Sequence, residues 1–308
     1  MPLERVTDGL FDYAGMFPPA ALSFEDALAE SARFPETLHD PELVAADMVL
    51  TPDALTRLTK EALHEAGYAG RPCRVCLVGV PVTDAPKQAE AVVAFNRERA
   101  HDSPPQRIIS LEVHFENEDI TTIQGAMDKA QRILDACTDR VQLYLEPKWD
   151  DARLAKGLTG VMQIMDSINH DAPHVGFKVR CAGPTALSHA TLAKVMAHVN
   201  LRSIPLKLTQ GLHHPFAGDP THGNVHGFLN VVFGLRLHRD TDMDVEELAT
   251  LLADDAPADF VWDHGIGWRG RRISMQSVVE SSLAVPFSIG SCSIAEPDAD
   301  LSGLRDRT

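Results

Sequence analysis

Two lysines interrupt apolar runs in the second half of the chain. Lys178 sits in Val175-Gly176-Phe177-Lys178-Val179 and Lys207 in Pro205-Leu206-Lys207-Leu208, 29 residues apart. Lysine is rarely buried, so two of them inside runs that read as core strands need a reason. If the runs are neighbouring strands, about 4.8 Å separates them and the ammonium groups approach each other. Burial and a like charge both disfavour the charged form, so one lysine pKa is expected to fall. A neutral lysine amine attacks carbonyls. The resulting Schiff base is an electron sink beside a breaking carbon–carbon bond. The structural alternative is a pair of core lysines, each salt-bridged to a carboxylate such as Glu112 or Glu146.

Further candidates stand at the ends of other apolar runs. In Leu111-Glu112-Val113-His114-Phe115-Glu116, a period of two puts Glu112, His114 and Glu116 on one face. Glu146 ends the run Tyr144-Leu145-Glu146, ahead of Pro147-Lys148. Arg180 shares a face with Lys178. Its guanidinium suits a substrate carboxylate, or equally a core pairing with Glu146. Asp12 is either a turn residue or a proton carrier pointing into the mouth of the fold. Gln210, His213, His214 and Ser291 follow strand ends, where a substrate would be held. Cys181 and Cys292 read as buried filler rather than thiols at the mouth.

A rival constellation is made of histidine. His213, His214, His222 and His226 fall within fourteen residues. Imidazoles suit zinc, iron or copper. With Glu112, His114 or Glu146 they would complete a site with one position open for water. No HExxH accompanies them. The lysine chemistry calls for no cofactor; the histidine alternative calls for zinc or another divalent metal and a hydrolase, lyase or isomerase reaction.

The elements that must position these residues come in a regular series. Apolar runs lie at Leu10–Phe17, Leu43–Leu50, Arg74–Val80, Arg107–Phe115, Val141–Glu146, Val175–Cys181, Ile204–Thr209 and Pro286–Ser291. The first seven begin 29 to 34 residues apart, the size of one strand and its crossover helix. Helix starts fit between them. Ser23 opens a capping box, and Thr51-Pro52 reads as a cap followed by proline at the first helical position. Thr83-Asp84, Asn117-Glu118 and Thr185 are further candidate caps. Leu192, Val195, Met196 and Val199 mark one helix face. Strands alternating with helices imply an α/β fold. Eight of them imply a single (β/α)₈ TIM barrel over residues 1–308, with active-site residues at the carboxyl ends of the strands. The last strand follows a gap of 82 residues. Residues about 240–275 read as an insertion carrying a hairpin around Trp262 and Trp268. An open doubly wound sheet is the runner-up, weakened by the lack of a GxGxxG after its first strand.

Paired lysines on the sixth and seventh strands resemble the layout of deoxyribose-phosphate aldolase and related class I aldolases. The stretches are Gly176-Phe177-Lys178 and Pro205-Leu206-Lys207. The resemblance implies that Lys178 forms the Schiff base, Lys207 depresses its pKa, and a fourth-strand acid, matched by Glu112 or His114, moves protons. The sequence departs from that family after both lysines. Val179-Arg180-Cys181 replaces small hydroxylated residues, and Thr209-Gln210-Gly211-Leu212-His213-His214-Pro215 replaces a glycine-rich phosphate loop. A second resemblance is broader. Phe11-Asp12-Tyr13-Ala14-Gly15-Met16-Phe17-Pro18-Pro19, Lys178-Val179-Arg180-Cys181, Gly211-Leu212-His213-His214-Pro215 and Gly290-Ser291-Cys292-Ser293 are similar to the signatures of an uncharacterised bacterial family, which implies no particular activity.

Composition narrows the classes. The 308 residues are 44% apolar and 23% charged, with a net charge of −16. Such a chain repels phosphate backbones, so no nucleic-acid partner is expected. The basic stretch Arg269-Gly270-Arg271-Arg272 reads as a solvated hairpin. No run of about 18 apolar residues suggests a membrane span. The first residues lack the layout of a secretion signal, so a cytoplasmic address is expected. Five scattered cysteines do not suggest a disulfide framework, and Cys73 and Cys76 read as buried small hydrophobes. The expected partner is a small carbonyl substrate, with homo-oligomerisation possible. A non-catalytic binding role on the same fold would show mutually paired strand-end residues and no open pocket.

Overall fold

The structure is a computed structural model and describes residues 2–68, 70–137, 140–169, 175–218, 226–282 and 287–305. Its strands are β1 (Phe11–Tyr13), β2 (Val44–Ala46), β3 (Met48–Leu50), β4 (Cys73–Pro81), β5 (Gln106–Phe115), β6 (Gln142–Pro147), β7 (Val175–Arg180), β8 (Leu206–Thr209), β9 (Phe260–Val261), β10 (Gly265–Trp268), β11 (Arg271–Ser274) and β12 (Phe287–Ser291). Nine of these segments form one sheet in the order β2-β1-β12-β8-β7-β6-β5-β4-β3, and its pairings are parallel.

Only Asp47 separates β2 from β3. One half of this strand pairs with β1 and the other with β4, so the sheet closes on itself. Counted as one broken strand, it completes an eight-stranded parallel barrel with helices in the connections, an α/β TIM barrel. The open doubly wound alternative fails, because the sheet has no free edge there. Asp47 fixes the break. Its buried carboxylate pairs with Arg71 and accepts from the Arg74 backbone at 2.8 Å, while its own N–H donates to the Arg74 carbonyl.

Each run expected to be a strand coincides with strand, its ends shifted by a few residues; Pro286 lies outside the described residues. Leu206 and Leu208 on β8, and Phe177 and Val179 on β7, are buried against the helical layer. The alternate residues Lys207 and Lys178 therefore face the barrel interior, as the period of two requires. Leu192, Val195, Met196 and Val199 are fully buried on the helix His189–Arg202. Ser23 and Thr51 cap their helices, Ser23 by accepting from the Asp26 N–H without the return bond of a full capping box. Two caps fall later than expected: Asp119 and Ser188 do the work assigned to Asn117-Glu118 and Thr185. Each immediately precedes its helix and accepts from the third N–H, the standard reach of a cap. Thr185 instead ends a short 3₁₀ turn.

The strands β9, β10 and β11 form a separate antiparallel sheet in the stretch before β12. The hairpin around the tryptophans joins β9 to β10, and a third strand follows. The β10–β11 turn has Arg269 and Gly270 at φ 43° and 86°, the pair of positive angles that a two-residue type I′ hairpin needs. Its arginines are engaged. Arg269 pairs with Asp254 and Asp259, Arg271 with Glu247 and Asp242, and Arg272 with Asp263. Cys73 and Cys76 are buried free thiols, and burial pushes Cys73 up to about 12. No helix among the described residues is long and apolar enough to cross a membrane.

Candidate functional site

The carboxyl ends of the strands open into a cavity of about 570 Å³, within the range of small-molecule sites. Its floor is an unbroken chain of opposite charges. Lys207 donates to Asp12 at 2.6 Å and lies 2.5 Å from one oxygen of Glu112. The other Glu112 oxygen is 2.7 Å from Lys178. Lys178 is 2.9 Å from Glu146, whose second oxygen accepts from Arg180 Nε at 2.5 Å. Three bases and three carboxylates alternate across five strands.

Strand register builds this chain. Lys178 is paired directly with Lys207, and His114 with Glu146. Glu112 reaches between the two lysines. Both of its oxygens have short ionic contacts, yet neither is aligned for a hydrogen bond. Tyr144 lies beneath the charges, its ring centroid 5.8 Å from Lys207 Nζ, and lines the smaller cavity at the amino ends of the strands. Gly176, opposite Tyr144 in register, makes room for that ring: a Cβ there would stand 2.5 Å from it.

These contacts reverse one expectation. Burial alone would lower both lysines, but Glu112 and Glu146 raise Lys178, and Asp12 foremost raises Lys207 well above its ordinary value. The anticipated fall of one lysine pKa does not occur, because Glu112 neutralises the repulsion between them. The resting site holds ammonium groups, as the structural alternative anticipated. Burial pushes the carboxyls of Glu112 and Glu146 up, but the lysine charges outweigh it. Glu112 is held below its usual range, and Glu146, helped by Arg180, at about 2.

The lysines differ in access. Lys178 is 8% exposed and Lys207 only 1%, and both line the cavity with Glu112, His114, Glu146, Arg180 and Gln210. Gln210 and Gly211 have successive left-handed φ of 67° and 71°; a non-glycine there is a strained conformation that marks functional loops. Asp12 faces the interior from β1. It lines a second cavity of about 370 Å³ at the amino ends of the strands, not the mouth. Mutual pairing thus coexists with an open pocket, so half of what a purely binding role would show is present.

Several expected residues lie elsewhere. His214 does not line the cavity and bonds Asp300 at 2.8 Å. Ser291 turns away, giving its hydroxyl to the Ser293 carbonyl, because its neighbours Gly290 and Cys292 take the positions facing the cavity. Cys181 is buried in the helical layer. Glu116 is exposed on the rim. The three described histidines of the cluster have separate partners. His213 bonds Glu296 at the rim, and buried His226 faces the Leu187 carbonyl at 2.7 Å. His222 lies outside the described residues. Among the described residues, no three His, Cys, Asp or Glu side chains could together hold a metal ion. Tyr144 and Lys148 were missed as site residues. Lys148 was legible two positions beyond Glu146, on the same face.

No family model and no curated protein matches the chain. Among solved structures it is similar to a xylose isomerase domain containing protein from Salmonella typhimurium LT2. Identity is 10% and the TM-score 0.41, over 97% of this chain and 95% of that one. The barrel assignment rests on the closed strand order itself.

Proposed function

We propose that the chain is an enzyme acting on a small polar carbonyl compound, forming an imine on Lys178 and breaking or making a carbon–carbon bond. The observation that supports this is a lysine at the floor of an open cavity, in contact with two carboxylates that can take its proton. Away from water, an ion pair and its neutral counterpart lie closer in energy than in bulk solvent. Substrate entry deepens that desolvation. Lys178 passes a proton to Glu112 or Glu146, and the free amine adds to the carbonyl carbon. Water leaves and a protonated imine forms. The bond between the α and β carbons then breaks and its electron pair enters the enamine. The β-hydroxyl proton moves to a carboxylate, and an aldehyde departs. Protonation at the α carbon and hydrolysis return the lysine. Lys207 orients Glu112 and holds positive charge behind it, while Gln210 and His213 line the rim of the entrance.

Trapping with sodium borohydride and a panel of small aldehydes and ketones tests the proposal. The expected result is a reduced adduct on Lys178 by peptide mass mapping, lost in Lys178→Met. Turnover of a verified substrate that survives both Lys178→Ala and Lys207→Ala would refute it. The raised lysine pKa favours one second reading: Lys178 stays an ammonium and stabilises an enolate while Glu146 moves the proton, an isomerisation. Activity that vanishes in Lys178→Met without any borohydride adduct would select that reading.

A further inference from the structure

Two cations in the same cavity have no part in the imine chemistry. Arg180 gives Glu146 only its Nε. Its two terminal nitrogens have no hydrogen-bond partner among the described residues, although the side chain is 32% exposed and lines the cavity. Lys148 lines the same wall, half-buried, and its ammonium likewise has no partner among the described residues. Leaving the Lys148 cation partly desolvated without a counter-charge is costly, and the open end of the Arg180 guanidinium fits a planar carboxylate.

The two groups point to one place. His114 is the register partner of Glu146, and Lys148 follows Glu146 by two residues on the same face. The His114 ring lies in the field of both cations. Burial first, then Lys148 and, more weakly, Arg180 lower its pKa against the opposing pull of Glu146 and Glu116. Glu116 is exposed and does not line the cavity.

Charge selects among anions. Around the cavity stand Lys148, Lys178, Arg180 and Lys207 against Glu112, Glu146 and, behind Lys207, Asp12. Glu296, which bonds His213, does not line the cavity. One positive charge is in excess. A carboxylate balances it; a phosphate dianion would overshoot. Lys148 stands about 6.6 Å along the strand from Glu146, and Glu146 touches Lys178. An anion seated there therefore lies a few bonds from a carbonyl at Lys178.

We propose that Arg180 and Lys148 form the seat of a substrate carboxylate, so that the substrate is a short-chain oxo acid carrying a single negative charge. The carbonyl half of this assignment rests on the Lys178 reading; the carboxylate half does not.

The test is calorimetric titration of the full chain with pyruvate, hydroxyacetone and inorganic phosphate. Pyruvate is expected to bind the wild type and Lys178→Met. Lys148→Gln and Arg180→Gln should each weaken it by about tenfold or more, and the double variant should abolish it. Hydroxyacetone, the neutral analogue, should be indifferent to both changes. Lys148 has no hydrogen-bond or ion-pair partner to lose among the described residues, so Lys148→Gln keeps the test sound if the Arg180 variant misfolds; Lys148→Arg should retain binding. Equal affinity for pyruvate and hydroxyacetone, binding that survives Lys148→Gln undiminished, or tighter binding of phosphate would overturn the proposal. Borohydride trapping separates the two claims. An adduct with hydroxyacetone but no charge preference removes the seat and keeps the imine. Charge-dependent pyruvate binding without any adduct removes the imine and keeps the seat.

Discussion

Replacing Glu112 by glutamine removes the one carboxylate that both lysines share. Lys178 and Lys207 are direct register partners on adjacent strands, so their charges stand on the order of 5 Å apart. At an effective dielectric constant of ~20, two unit charges at that distance repel by about 3 kcal/mol. One of the two lysine pKa values should then fall. Breaking a buried ion pair costs about 3–5 kcal/mol, so Glu112→Gln should be destabilised by that amount in urea unfolding at pH 7. The pH dependence has a definite sign. Glu112 is lowered in the folded protein, so its contribution is present above the unfolded carboxylate value and lost as pH falls through the folded one. The lysines are raised, so theirs is present below the unfolded lysine value and lost as pH climbs through the folded values. The gap between wild type and variant should therefore be widest in the neutral window and narrow on both sides. A variant within 1 kcal/mol of wild type at pH 7 (about a fivefold change in the unfolding constant), or a gap that persists undiminished at pH 3, would refute this account of the network.

Other consequences are open to measurement. Burial holds the His226 ring down at about 4, so its contribution is present above the unfolded value of 6.5 and lost between there and about 4. Urea midpoints of His226→Gln should be flatter across that interval, and parallel curves would count against it. Asn230 accepts from the Ala217 N–H at 2.9 Å and donates to the Leu251 and Asp254 carbonyls at 2.7 and 2.8 Å. Asn230→Ala should cost about 3 kcal/mol in thermal unfolding; a loss under 1 would show the bridge to be replaceable. Maleimide at pH 7.5 should leave Cys73, Cys76 and Cys181 unlabelled in the native protein, since burial raises all three thiols. Purified, tag-free protein should carry well under one equivalent of zinc, manganese or iron. A full equivalent that disappears in His213→Ala would reinstate the histidine site.

The barrel was legible because apolar runs, caps and a near-constant spacing agree with one another. Lys178, Lys207, Glu112 and Glu146 were legible because charged residues at inward positions break an otherwise apolar strand. What the sequence could not carry was the distance between strands remote in the chain. Whether Glu112 lies beside the lysines or away from them decides the direction of their pKa shifts, and that depends on register. The same blindness gathered the histidines. Their closeness in sequence reflects a loop, and the loop sends His213 and His214 to separate acids on the last helix (Ala295–Arg305). The role of Asp47 was illegible for another reason: nothing in Leu43–Leu50 signals that one strand must serve two neighbours at different registers.

The bond from Lys207 to Asp12 joins residues 195 apart in sequence. Asp12 leaves the ribosome early, and its strand lies between the broken second strand and β12, which is made near the end. Its ammonium partner can be met only when the ring of strands has come together, and contacts of such long range form slowly. The site is thus a late product of folding, assembled in the same event that seals the barrel. In a refolding experiment, native tertiary signals and the protection of Lys178 from amine-modifying reagents should return on a single time course.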